Sequence, residues 1–164
     1  MKLILLLASS LFLCGCQAQS GAQPHDSLSY IKFRNIIAIV ESNNNPTKVG
    51  DNGLAIGIYQ IHQICFKDAQ RFNTNLLSYK YTYCFDPVRA DDVFLAYIGH
   101  YCAPQVNRIN NGKGTWKDYE IIARIWNGGP LGLHKNATIK YWNRVKLLMI
   151  KANLTNKIVV IELP

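Results

Sequence analysis

The stretch Ile39–Ile61, IVESNNNPTKVGDNGLAIGIYQI, decides how this chain is read. It opens on the end of an apolar repeat in which Tyr30, Phe33, Ile36, Ile37 and Val40 recur at three- and four-residue spacing, the signature of one buried helix face. Asp26 or Ser27 can cap the start of that helix. Its end is marked by Asn43-Asn44-Asn45-Pro46, because asparagine tolerates turn geometry and proline cannot continue a helix. Glu41 therefore falls in the last turn. Apolar neighbours and the partial negative charge of a helix C-terminus both disfavour its ionised form, so the position predicts a carboxyl with raised proton affinity. Such a group suits general-acid work near neutral pH. The plainer alternative is a solvated glutamate at a helix end.

The rest of the stretch, KVGDNGLAIGIYQI, holds the best turn signal in the chain, with Asp51-Asn52-Gly53 at the tip of a small hairpin. Gly57 permits a bend or a close backbone approach, and Tyr59 and Gln60 place hydrogen-bonding groups beside it. A second helix is predicted from about Tyr59 to Phe72. A third starts at Asp86-Pro87, a cap followed by proline at the first helical position, and repeats through Val93, Phe94, Tyr97, Ile98 and Tyr101. Residues Asp118–Trp126 read as a short buried helix stopped by Asn127-Gly128-Gly129-Pro130. A last amphipathic helix covers about Ala137–Ala152, and KIVVIELP (157–164) reads as a terminal strand. The expected fold is a mainly α single domain over 27–152, with a small hairpin and a short C-terminal strand in the tail 153–164.

The N-terminus, MKLILLLASSLFLCGCQAQS, has a basic start, an apolar run over Leu3–Leu13 and then small polar residues, which is an export signal (1–15) followed by a linker (16–26). Leu13-Cys14-Gly15-Cys16 resembles a bacterial lipobox, making Cys16 the expected lipidation site and the periplasm, at the outer membrane, the expected location. Ordinary cleavage after Ala18 and secretion is the alternative. Export to an oxidising compartment predicts one disulfide among Cys65, Cys84 and Cys102, with Cys84–Cys102 preferred for tying a helix's leading loop to its far end. Without Cys-x-x-Cys or paired histidines, neither metal nor cofactor is expected. The net charge of +8 lies almost wholly in the folded part, since Lys2 is the only cation among the first fifteen residues. That balance favours a polyanionic partner. No basic run interleaved with aromatics occurs, so nucleic acid is not the expected one.

Taken in order, the motifs resemble the lytic transglycosylase and goose-type lysozyme superfamily. Glu41-Ser42 before NNNP matches its first motif, Gly57-Ile58-Tyr59-Gln60 its second and Trp126-Asn127-Gly128-Gly129 its third, with Tyr141 as the later tyrosine. The resemblance implies a helical lysozyme-like fold around a glycan groove, in a protein acting as a monomer on peptidoglycan strands. It implies Glu41 as the catalytic acid, with Ser42, Gly57, Tyr59, Gln60, Asn127, Gly128 and Tyr141 in or beside the substrate groove. Most glycosidases use two carboxylates, whereas a lytic transglycosylase needs one. Asp51 is the candidate second carboxylate, and a turn former otherwise. A single-glutamate transglycosylase is the favoured expectation. A hydrolytic lysozyme using Glu41 and Asp51, or a non-catalytic cationic wall-binding protein, are the alternatives.

Overall fold

The computed structural model describes residues 29–161. The predicted export signal, the predicted lipidation site Cys16, the predicted linker and the candidate caps Asp26 and Ser27 lie outside the described residues, as do residues 162–164. The chain is mainly helical, with a small three-stranded antiparallel sheet near its start.

Helix α1 (Tyr30–Ser42) is capped by Ser29, whose Oγ accepts from the Lys32 amide at 3.3 Å. It buries Phe33 and Ile37 completely, the face that the apolar repeat predicts. Strands β1 (Val49–Gly50) and β2 (Ala55–Ile56) form the hairpin, pairing Val49 with Ile56 around a 3-10 turn at Asp51–Gly53. A third strand, β3 (Ile61–His62), pairs with β2. The second helix therefore begins later than the sequence suggests: α2 is Gln63–Phe72. The reason is local. Gln60 takes a left-handed φ of 50° and its amide donates to the Gly57 carbonyl, so Tyr59–His62 turn back onto β2 instead of opening a helix.

Helix α3 (Pro87–Tyr101) starts where expected, the Asp86 carboxylate accepting from the amides of Val88 and Arg89. A short α4 (Ala103–Asn110), not anticipated from the sequence, follows at once. Helix α5 (Trp116–Gly128) packs against α3, α4 and α6, and buries Ile122 and Ala123 fully. Phe33, Phe94, Ile98, Ile122, Val145 and Met149 make the centre of the core.

At the start of α5, Thr115 and Asp118 form a reciprocal capping box, and Asp118 is buried against Arg108. The Arg108 guanidinium holds the Asp118 carboxyl below the usual carboxylate range. Thr115→Ala removes the cap and one partner of a buried carboxylate, and should cost about 1–2 kcal/mol in urea denaturation.

Two expectations fail. Helix α6 spans Ala137–Ile161, so residues 157–161 of the predicted terminal strand are helix. Adding a residue to an existing helix gains one hydrogen bond each time, whereas a strand needs a neighbouring edge to pair with. The β-branched run Ile158–Ile161 expresses only a weak preference against that gain. The predicted disulfide is also absent, since Cys65, Cys84 and Cys102 are all free thiols. Cys84 precedes α3 and Cys102 follows it. Fifteen helical residues separate their ends by about 22 Å, several times the Cα separation of about 4.4–6.8 Å that a disulfide tolerates. Burial pushes the Cys84 and Cys102 thiols up to about 12, so both stay protonated and inert.

Candidate active site

The C-terminal end of α1 opens onto a cleft of about 620 Å³ between the sheet and the end of α5. Its walls include Glu41, Lys48, Gly50, Asp51, Gln60 and His62 on the sheet side, and Trp126, Asn127, Gly128 and Lys135 on the other. The first two motif regions and the third, some seventy residues apart in sequence, thus face one space.

The local structure that aims Glu41 is strained. Every described non-glycine residue with positive φ falls between positions 43 and 60: Asn43, Asn44, Asp51, Asn52 and Gln60. Asn43 ends α1 in the left-handed region while its amide still reaches the Ala38 and Ile39 carbonyls. Ser42 is buried and ties the helix end to the sheet: its hydroxyl donates to the Ile58 carbonyl at 2.8 Å and accepts from the Asn45 amide. Backbone strain concentrated at one place is characteristic of sites whose geometry the surrounding fold holds in place.

Glu41 is partly buried. The Tyr141 hydroxyl donates to its Oε1 at 2.8 Å, and the Trp126 indole also hydrogen-bonds it. Burial is the larger influence and pushes the carboxyl up to about 7. Tyr141, Arg144, Trp126 and Lys48 each pull in the opposite direction. The balance leaves a carboxyl that can both give and take a proton near neutrality. Arg144 lies one helical turn beyond Tyr141 on α6 and donates to the Val40 carbonyl at 3.2 Å. Tyr141 itself is buried, held rigidly by α6.

Gln60 lines the cleft, its amide nitrogen donating to the carbonyls of Gly57 and Lys48. A side chain at Gly50 would meet the Gln60 amide oxygen, so the Gln60 side chain would have to move from its place in the cleft wall. Asn127 and Gly128 line the opposite wall. Asp51 lines the cleft too, with its Oδ2 2.9 Å from Nε2 of His62. It is at once the turn residue and a cleft carboxylate.

Tyr59 and Gly57, expected in the groove, are placed elsewhere. Tyr59 is 3% exposed, stacks on Phe94, meets the edge of Trp126 and donates to Asp91 at 2.8 Å. It backs the Trp126 ring that reaches Glu41, supporting the wall rather than forming it. Asp91 also pairs with Arg34 of α1, so one carboxylate locks α1, α3 and the Tyr59 turn together. Gly57 is a close-approach position against the Cys84 carbonyl, with φ of +74°. Lys48, His62, Asp68, Arg144 and Lys135 are among the cleft or near-cleft residues that sequence reasoning missed. Spacing carried a signal for Arg144 alone, three residues after Tyr141 on a helix.

Among the described residues no group of three or more histidines, cysteines or carboxylates is arranged to hold a metal ion. No protein-family model matches the chain, and no curated protein matches it.

Proposed function

We propose that this protein cleaves the β-1,4 bond between N-acetylmuramic acid and N-acetylglucosamine in peptidoglycan, as a single-glutamate lytic transglycosylase with a lysozyme-like fold. The observation that carries this is Glu41: a carboxyl raised to about 7, held by Tyr141 and Trp126, facing a cleft walled by Gln60, Asn127 and Gly128. Protonated Glu41 gives its proton to the glycosidic oxygen as the C1–O bond breaks. The resulting carboxylate then takes the proton of the muramic 6-hydroxyl while O6 bonds to C1, leaving a 1,6-anhydro end. Proton and electron pair balance with no water consumed. The polar groups of Gln60 and Asn127 and the Gly128 backbone hold sugar substituents. Export, and tethering of the chain through Cys16, complete the reading.

A hydrolytic lysozyme is the second reading, favoured by one observation: Asp51 faces the same cleft, oriented by His62. There Asp51 activates a water or stabilises the oxocarbenium ion. Mass spectrometry of products from purified sacculi separates the two. Anhydromuramyl ends support the transglycosylase, reducing ends the hydrolase, and no released muropeptides a wall-binding protein.

Tyr141→Phe tests how the acid is tuned. The Tyr141 hydroxyl stabilises the ionised form, so its loss raises the Glu41 pKa further. The alkaline limb of the rate–pH profile should move to higher pH, and a shift to lower pH would contradict the arrangement.

A further inference from the structure

Two lysines reach the cleft from different elements. Lys48, between α1 and β1, donates through Nζ to the Glu41 carbonyl at 2.7 Å. Lys135, just before α6, donates through Nζ to the Gly128 carbonyl at 2.6 Å. Each ammonium thus sits at the C-terminal end of a helix, α1 or α5, where carbonyls lack partners within the helix and carry partial negative charge. That contact uses one of three N–H donors on each.

Apart from Glu41, whose carboxyl Lys48 influences through space, the carboxylates lining the cleft already have partners: Asp51 meets His62, and Asp68 meets Arg71. Among the described residues neither Lys48 nor Lys135 has a carboxylate within ion-pairing distance. The cleft therefore presents two cations that donate to carbonyl oxygens, one on the sheet wall and one on the α5 wall. A neutral chitin-like chain offers them hydroxyl and amide oxygens but no charge. A strand bearing carboxylates adds the charge.

We propose that Lys48 and Lys135 bind carboxylates of the glycan strand, so that the cleft selects an acid-bearing muramyl chain over a neutral N-acetylglucosamine chain. This rests on the glycan-cleaving reading above. The carboxylate has two possible sources, the lactyl ether of a peptide-free muramic acid or the stem peptide attached to it.

The test uses Glu41→Gln protein, to prevent turnover, and calorimetric titration at low salt with three ligands of equal backbone length. These are chitotetraose, a muramyl tetrasaccharide stripped of peptide, and the same tetrasaccharide carrying its peptides. Exposed charge pairs contribute up to about fivefold each, so acid-bearing ligands should bind about tenfold more tightly than chitotetraose. Lys48→Gln and Lys135→Gln, which keep an N–H donor for the helix carbonyl, should each reduce that ratio severalfold, and the Lys→Arg variants should restore it. Preference for the peptide-bearing ligand alone assigns the stem peptide, preference for the peptide-free ligand alone assigns the lactyl carboxylate, and equal preference means that either carboxylate is accepted, since the lactyl carboxyl is amidated wherever a peptide is attached. Equal binding of all three ligands overturns the proposal but leaves the glycan reading standing. So does an equal loss for every ligand in the glutamine variants, which would make the lysines helix caps and nothing more. Binding of none of the three removes the glycan reading itself, and this proposal with it.

Discussion

Glu41→Gln should lower release of muropeptides from sacculi by at least about two to four orders of magnitude, the usual contribution of a positioned general acid. The substitution keeps the shape and leaves Tyr141 a partner oxygen, so the loss reports proton transfer rather than misfolding. The same change should stabilise the protein, in a pH-dependent way. Folded Glu41 binds its proton more tightly than the ordinary glutamate value of 4.5, at about 7. Its protonated form therefore supports the fold below 4.5, and that support is lost as pH rises through about 7. The shift corresponds to roughly 3 kcal/mol at full effect. Glutamine has no proton to lose, so the variant should melt above the wild type at pH 8, with the gap narrowing toward pH 5. Cleavage retained by Glu41→Gln would remove Glu41 as the acid. A stability gap that does not vary with pH would mean that the carboxyl is not raised.

Gly57→Ala is the second large effect, and it acts on the fold. Gly57 has φ of +74°, and a Cβ there would sit 2.0 Å from the Cys84 carbonyl oxygen and 3.0 Å from its carbon. Both colliding atoms are backbone, so relief requires moving the hairpin away from the segment that leads into α3. A cost of about 3 kcal/mol or more is expected in denaturant unfolding. Gly53→Ala is the matched comparison. Its φ is +96° with nothing within 4 Å of the added carbon, so it carries the conformational cost alone, about 1–2 kcal/mol. Movement at Gly57 also displaces the carbonyl that holds Gln60 and the neighbouring Ile58 carbonyl that holds Ser42, so cleavage should fall with stability. If the two alanine variants unfold together, the close approach to Cys84 has no energetic weight.

The parts of the molecule that were legible in the sequence are those governed by neighbours along the chain. Helices α1, α3 and α5 followed from apolar spacing with the Asp86-Pro87 and Gly128-Gly129-Pro130 boundaries, and the hairpin from Asp51-Asn52-Gly53. The position of Glu41 at a helix end was legible for the same reason. The errors came where a distant partner overrode a local preference. Tyr59–His62 left the predicted helix because β2 offered an edge to pair with. Residues 157–161 stayed helical with α6.

What the sequence alone determined about this protein is a mostly helical domain with one acid at the end of its first helix and polar and glycine motifs in a fixed order. The tertiary structure decided which of those motifs share a space. It moved Tyr59 and Gly57 from the groove to its support, because burial and backbone contact are properties of the packed chain. It set Glu41 against Tyr141, a hundred residues away, and it brought in Lys48, His62 and Lys135. Proton affinity and charge balance depend on distances through space, to which residue order contributes only after the helices have packed.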